Sequence, residues 1–108
     1  MFLKDILESI SRIEKFSKGL TRDEFMKDEL KQSAIIRQLE IIGEAVKNIS
    51  TPTRKRYPEI EWRNIAGARD MFIHGYFRVN LERVWDIVKN KLLGLKKKIS
   101  HLKKELEN

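Results

Sequence analysis

Apolar residues recur along this chain at helical spacing from end to end. No segment shows the two-residue alternation of a half-buried strand. Leu3, Ile6, Leu7, Ile10, Ile13 and Phe16 fall on one stripe, which predicts an amphipathic helix over 2–17 that stops near Gly19. Thr21 and Glu24 then have the spacing of a capping box, with the threonine hydroxyl accepting from the amide of the glutamate. A short helix with Phe25 and Leu30 should follow, kinked or broken near Asp28. Ile35, Ile36, Leu39, Ile42, Val46 and Ile49 predict a longer buried helix over about 30–49. Gly43 stands inside it. Glycine weakens a helix interior by about 1 kcal/mol, so its presence there implies close approach of another backbone. Ser50-Thr51-Pro52-Thr53 ends that helix, because proline cannot donate and restricts the residue before it; Tyr57-Pro58-Glu59 is a second turn signal.

Trp62, Ile65, Ala66, Phe72 and Ile73 predict a central helix over about 61–73, which Gly75 can end in the left-handed conformation. Asn80 is a good N-cap for the last helix, with Glu82 favourable near its positive end. In that helix Val88, Leu92, Leu95, Ile99, Leu102 and Leu106 step by four and three, a heptad pattern. Residues 81–107 would span roughly 40 Å, against roughly 20–30 Å for the other helices. The tail is therefore expected to project past its own bundle and to be covered by a second chain. The predicted fold class is all-α: an antiparallel bundle of four main helices plus one short helix, homodimeric, in one domain over 1–108 with a basic extension over about 96–108.

Composition agrees with this and narrows the partners. A chain of 108 residues has room for one core. It lacks cysteine, so it has neither disulfides nor thiolate metal ligands. No apolar run approaches a membrane span, which gives a soluble, cytoplasmic expectation with no membrane partner. The net charge of +7 is uneven: seven lysines follow Asp86, against only Glu105 and Glu107. A second basic cluster, Arg54-Lys55-Arg56, precedes the central helix, with Arg63 just inside it. Such a surface favours nucleic acid or another polyanion, although a lysine run alone more often marks a solvated face.

The candidate chemistry is concentrated in 65–76. His74 and His101 sit in different elements. Glu40 and Glu44, one turn apart, lack the Glu-x-x-His partner of a di-metal site, so they read as carboxylates holding Arg37 or Arg69; no metal or other cofactor is expected. Neither a glycine-rich phosphate loop nor a Ser-His-Asp set is present. Arg69, His74 and Tyr76 remain. On an ideal helix, residues five apart diverge by about 140°, so Arg69 and His74 share a cleft only if the helix ends near His74, as Gly75 permits. Histidine exchanges protons near neutral pH, and arginine offers a charged fork that matches a phosphate. Together they suit RNA cleavage without a metal, with a second copy supplying the second histidine. On residue types alone, a histidine packed at a helix end is the commoner meaning of such a pair.

The text around these residues resembles the HEPN superfamily (higher eukaryotes and prokaryotes nucleotide-binding), and within it the HepT-like toxins. The matching stretches are Asp5-Ile6-Leu7-Glu8, Gly19-Leu20-Thr21, Ile35 to Glu44, Tyr57-Pro58-Glu59-Ile60-x-Trp62, Ile65-Ala66-Gly67, Arg69 with His74-Gly75-Tyr76, and Val84-Trp85. The resemblance implies a HEPN-like all-helical homodimer acting as a metal-independent endoribonuclease, with Arg69 and His74 catalytic and Asp70 supporting. It implies a cognate MNT nucleotidyltransferase antitoxin that silences the toxin by transferring AMP to Tyr76. Arg54, Lys55, Arg56 and Arg63 are then the expected RNA contacts. Two other readings stand beside this one: a non-catalytic helical partner that assists a nucleotidyltransferase in binding nucleotide, and a basic bundle that binds RNA through its tail. The lysine-rich tail is not part of the resemblance.

Overall fold

The first stripe folds as its spacing predicts. Helix α1 (Phe2–Ser17) buries Leu3, Ile6, Ile10 and Ile13, and Gly19, at φ +70°, takes the left-handed position that ends it. The structure, a computed structural model, describes residues 2–67 and 80–107, and every regular element among them is helical. Helix α2 (Arg22–Lys27) opens on the expected capping box: the Glu24 amide donates to Thr21 Oγ1 at 3.2 Å, and the Thr21 amide donates to Glu24 Oε1 at 2.9 Å. The two threonine hydrogen bonds, the backbone one foremost, hold the Glu24 carboxyl below its usual range. Asp28 is the break. It closes α2 and caps α3 (Glu29–Lys47), its carboxylate accepting from the Lys31 amide at 3.0 Å.

Helix α1 packs on α3 and on the C-terminal helix α7 (Leu92–Glu107), and runs antiparallel to both. Lys31, at the start of α3, reaches the carbonyl of Phe16 at the end of α1 (2.8 Å). Lys96, early in α7, pairs with Glu14 at 3.0 Å. Ile6, Ile10, Ile13, Ile35, Val46, Ile99 and Leu102 are fully buried between these helices. Each such side chain contributes about 1.5–3 kcal/mol relative to exposure, which makes this three-helix seam the main source of stability. Gly43 is buried on α3.

Four expectations need correction. Ser50 to Thr53 does more than end a helix: it starts one. Ser50 Oγ accepts from the Thr53 amide at 3.4 Å and Pro52 lies in the first turn of α4 (Thr51–Arg56). Proline is pre-shaped for a first turn, where its missing N–H costs nothing. The described chain thus has two short helices, α2 and α4, where one was expected. The central helix, α5, is described over 62–67; its predicted remainder to 73 lies outside the described residues.

The last helix is not uniformly α-helical. Between α6 (Leu81–Asp86) and α7, residues Ile87–Lys91 form a π-helical turn in which the Leu92 amide donates to the Ile87 carbonyl five residues back. Nor does this helix present an uncovered heptad stripe. Of the predicted stripe Leu92, Ile99 and Leu102 are buried, Val88 and Leu95 are half-buried against the core, and Leu106 alone is exposed, at 47%. A partner chain is not needed to cover it.

Candidate functional site

Arg69, Asp70, His74 and Tyr76 lie outside the described residues. What the structure gives is the two stems from which this segment departs and to which it returns. The entry stem begins at Tyr57. Its ring is buried, its carbonyl accepts from the Ile60 amide (3.2 Å) and from the Trp62 indole Nε1 (3.0 Å), and its hydroxyl donates to Glu105 Oε2 (2.6 Å). This explains locally why tyrosine and tryptophan stand five apart: one ring system seats the turn and the other ties it shut. The hydrogen bond to Glu105 raises the Tyr57 phenol above its usual pKa and holds the Glu105 carboxyl below its own. Trp62 is buried, and Ile65 and Ala66 are half-buried, so α5 lies on the core by the face the spacing predicts.

The exit stem is equally fixed. Asn80 caps α6 by accepting from the Arg83 amide at 3.2 Å, as expected. Val84 is fully buried, and Trp85 stacks on Phe25 with ring centroids 5.2 Å apart. The Lys89 ammonium lies over the Trp85 ring at 4.7 Å. Glu82, expected only to favour the helix start, forms an ion pair with Arg22 that ties α6 to α2.

Between the stems lies a groove of about 670 Å³. Its floor is aliphatic, with Leu39, Ile42, Ile60, Ile65, Ile87 and Leu92, and Arg83, Lys91 and Lys98 stand at its edge with Glu61 and Asp86. The π-helical turn forms much of one wall. Sequence reasoning singled out neither Arg83 nor Lys91, which carry no local motif and come together with Asn64 only through the fold.

The basic candidates separate. The Arg54 guanidinium donates to the carbonyls of Val46 (2.6 Å) and Ile49 (3.1 Å), so it closes the C-terminus of α3. Arg56 lies over the Tyr57 ring at 5.5 Å. Lys55 and Arg63 are exposed, and Arg63 and Arg54 line one shallow depression of about 400 Å³ beside Trp62. Glu40 and Glu44 both face Arg37, at 3.3 and 4.0 Å, as ion-pairing carboxylates. Among the described residues there is no cluster of three or more metal-ligating side chains, and no helix is long and apolar enough to cross a membrane.

Comparison with known proteins places this arrangement. A family model named Ribonuclease HepT-like matches residues 6–102. The chain is 46% identical over 106 residues to a Methanocaldococcus jannaschii protein named "Putative RNase", covering 98% of this chain and 88% of that one. It is 44% identical over 103 residues to the "Probable ribonuclease HepT" of Thermococcus cleftensis, covering 95% and 94%. A second M. jannaschii protein, named "Gamma-glutamylcyclotransferase and putative RNase", is 41% identical over 107 residues, and this chain spans 48% of its length. No solved structure matches. The matched region takes in both stems and the whole segment between them, and on that match the chain belongs to the ribonuclease HepT-like family of the HEPN superfamily.

Proposed function

We propose that this protein is the toxin of a two-component toxin–antitoxin system. It is a metal-independent endoribonuclease that works as a homodimer, and a nucleotidyltransferase antitoxin silences it by transferring AMP to Tyr76. One observation carries the reading: a match to a ribonuclease family over residues 6–102 that encloses Arg69-x4-His74-x-Tyr76. The two anchored stems support it, because a motif that must orient a scissile linkage needs fixed ends.

In this mechanism His74 takes the proton of an RNA 2′-hydroxyl. The freed oxygen attacks the adjacent phosphorus, and the bond from phosphorus to the 5′-oxygen breaks. A second imidazole, from the other copy's His74, gives its proton to the leaving oxygen. The products are a 2′,3′-cyclic phosphate and a 5′-hydroxyl end. Arg69 stabilises the charge that builds on the equatorial oxygens, and Asp70 supports Arg69. AMP on Tyr76 places a phosphodiester beside that guanidinium, where it competes with RNA phosphate. Of the flanking cations, Lys55, Arg56 and Arg63 are exposed and open to the RNA backbone, whereas Arg54 is engaged within the protein.

The test is cleavage of RNA by the purified protein in EDTA. The parent should cut, and Arg69→Ala and His74→Ala should each lower the rate by at least a hundredfold, within the range for loss of a proton-transfer or charge-stabilising group, with helical content unchanged. Incubation with the nucleotidyltransferase and ATP should add one AMP to the parent and none to Tyr76→Phe. A parent that takes AMP but never cuts RNA would instead identify a non-catalytic partner of the transferase.

A further inference from the structure

We propose that Tyr57 and Glu105 form a clamp by which the last two turns of α7 hold the entry stem, so that Glu105 is a positioning residue for the Arg69–His74 chemistry. The proposal rests on the nuclease reading for its consequence, though not for its geometry. It also assigns a role to two features that the nuclease chemistry leaves idle: the Tyr57-Pro58-Glu59-Ile60-x-Trp62 stretch and the far end of the lysine-rich helix.

The stretch over 51–62 has little packing of its own. Helix α4 buries none of its residues. Side-chain anchors hold it instead. Arg54 fastens it to the end of α3, and Tyr57, Ile60 and Trp62 are its buried residues. Tyr57 is the centre of this arrangement: its carbonyl carries both the Ile60 amide and the Trp62 indole, and its hydroxyl reaches across 48 positions of sequence to Glu105.

The other side of the clamp is one face of α7. Lys98, His101 and Glu105 stand three and four apart and so lie along one helical edge. Lys98 Nζ donates to the Glu59 carbonyl at 3.0 Å, which gives the turn a second hold two residues from the first. Glu105 meets Tyr57 with one oxygen and His101 Nε2 with the other, at 2.5 Å, which fixes the direction of its carboxylate. The turn so held runs directly into α5, and α5 leads to Arg69 two residues beyond Gly67.

A clamp on a segment with few other contacts loosens that segment alone when it is released, and leaves the packed seam of α1, α3 and α7 intact. Hydrogen exchange on the full-length chain reads this. In Tyr57→Phe, which keeps the buried ring, and in Glu105→Ala, amides over 57–67 should exchange about tenfold faster, the size one charge-assisted hydrogen bond supports. Amides of α1 and α3 should be unchanged. The double variant should be no worse than either single one, and Glu105→Gln, which keeps an acceptor oxygen, should recover most of the protection. In RNA cleavage by the same variants, kcat should fall about tenfold with KM within twofold of the parent. Uniformly faster exchange, additive effects, or unchanged kcat in a parent that cuts RNA would each overturn the proposal. If the parent cuts no RNA, the nuclease reading fails, and the exchange pattern over 57–67 alone decides whether the clamp exists.

Discussion

A helix ends with carbonyls that have no partner within it, and Arg54 shows how this chain supplies one from outside. Its side chain returns from α4 and donates to the Val46 carbonyl, in the last turn of α3, and to the Ile49 carbonyl, two residues past the helix end. A lysine could satisfy one of them but lacks the planar fork that meets both. Arg54→Ala should therefore destabilise the protein by about 1–3 kcal/mol, the range for hydrogen bonds from a charged donor, and Arg54→Lys should restore only part of this. Urea unfolding followed by circular dichroism measures both, and a change under 0.5 kcal/mol for Arg54→Ala would remove the capping role. The same residue marks a limit of sequence reading. As one of three consecutive cations before a helix it reads as an RNA contact, because charge is visible in sequence while the carbonyls it meets are fixed only by tertiary placement. The caps that were legible, Thr21 with Glu24 and Asn80, have donor and acceptor three residues apart in sequence.

At the scale of elements, the last helix turns on how its apolar residues are spaced. Val84, Val88 and Leu92 advance by fours, and over eight residues an α-helix overshoots two full turns by about 80°. In a continuous α-helix Val84 and Leu92 would stand about 80° apart, near the two edges of one apolar stripe. Both are buried, and the π-helical turn at Ile87–Lys91 absorbs the difference by taking one extra residue into the turn. Below it the steps of three and four return and so does the α-helix. A heptad series begun at Val88 does not show the change of pitch, which is why the sequence reading expected one uniform helix. Deleting Asn90, exposed and with its side chain bonded to Asp86 one turn back, should convert the turn to α-helix and keep stability within about 1 kcal/mol of the parent. Deleting Lys97, also exposed, should instead rotate Ile99 and Leu102 out of the core by about 100° each and cost several kcal/mol. Equal losses from the two deletions, measured by urea unfolding, would mean that the π turn is not a one-residue insertion. The candidate site was legible through its motif and its flanking turn signals. The groove between the stems was not, because its walls come from α3, the 60–65 stretch and the π turn, which only the fold brings together.

At the scale of the whole molecule, the two ends of the chain stabilise each other. Helix α1 lies against α7, and Lys96 reaches Glu14, so the basic tail is part of the core seam rather than an appendage to it. This changes how the tail's charge should be tested. Removing 96–108 takes away Ile99 and Leu102, both fully buried, at a cost of about 2–5 kcal/mol for each side chain lost. Set against a total stability of about 5–15 kcal/mol, that loss is enough to abolish cooperative unfolding, so failure of such a fragment to bind RNA would say nothing about RNA. We expect the fragment 1–95 to show no unfolding transition in urea. Removal of 106–108, where Leu106 is exposed, should leave the midpoint near that of the full chain. Lys97 and Lys104 are exposed and make no ion pair among the described residues, so the double variant Lys97→Gln with Lys104→Gln should also keep the parent midpoint. It changes charge without changing packing, and any loss of RNA affinity or of salt dependence in it then reports on electrostatics alone. A fragment 1–95 that unfolds cooperatively at the parent midpoint would show instead that the seam closes without its C-terminal third.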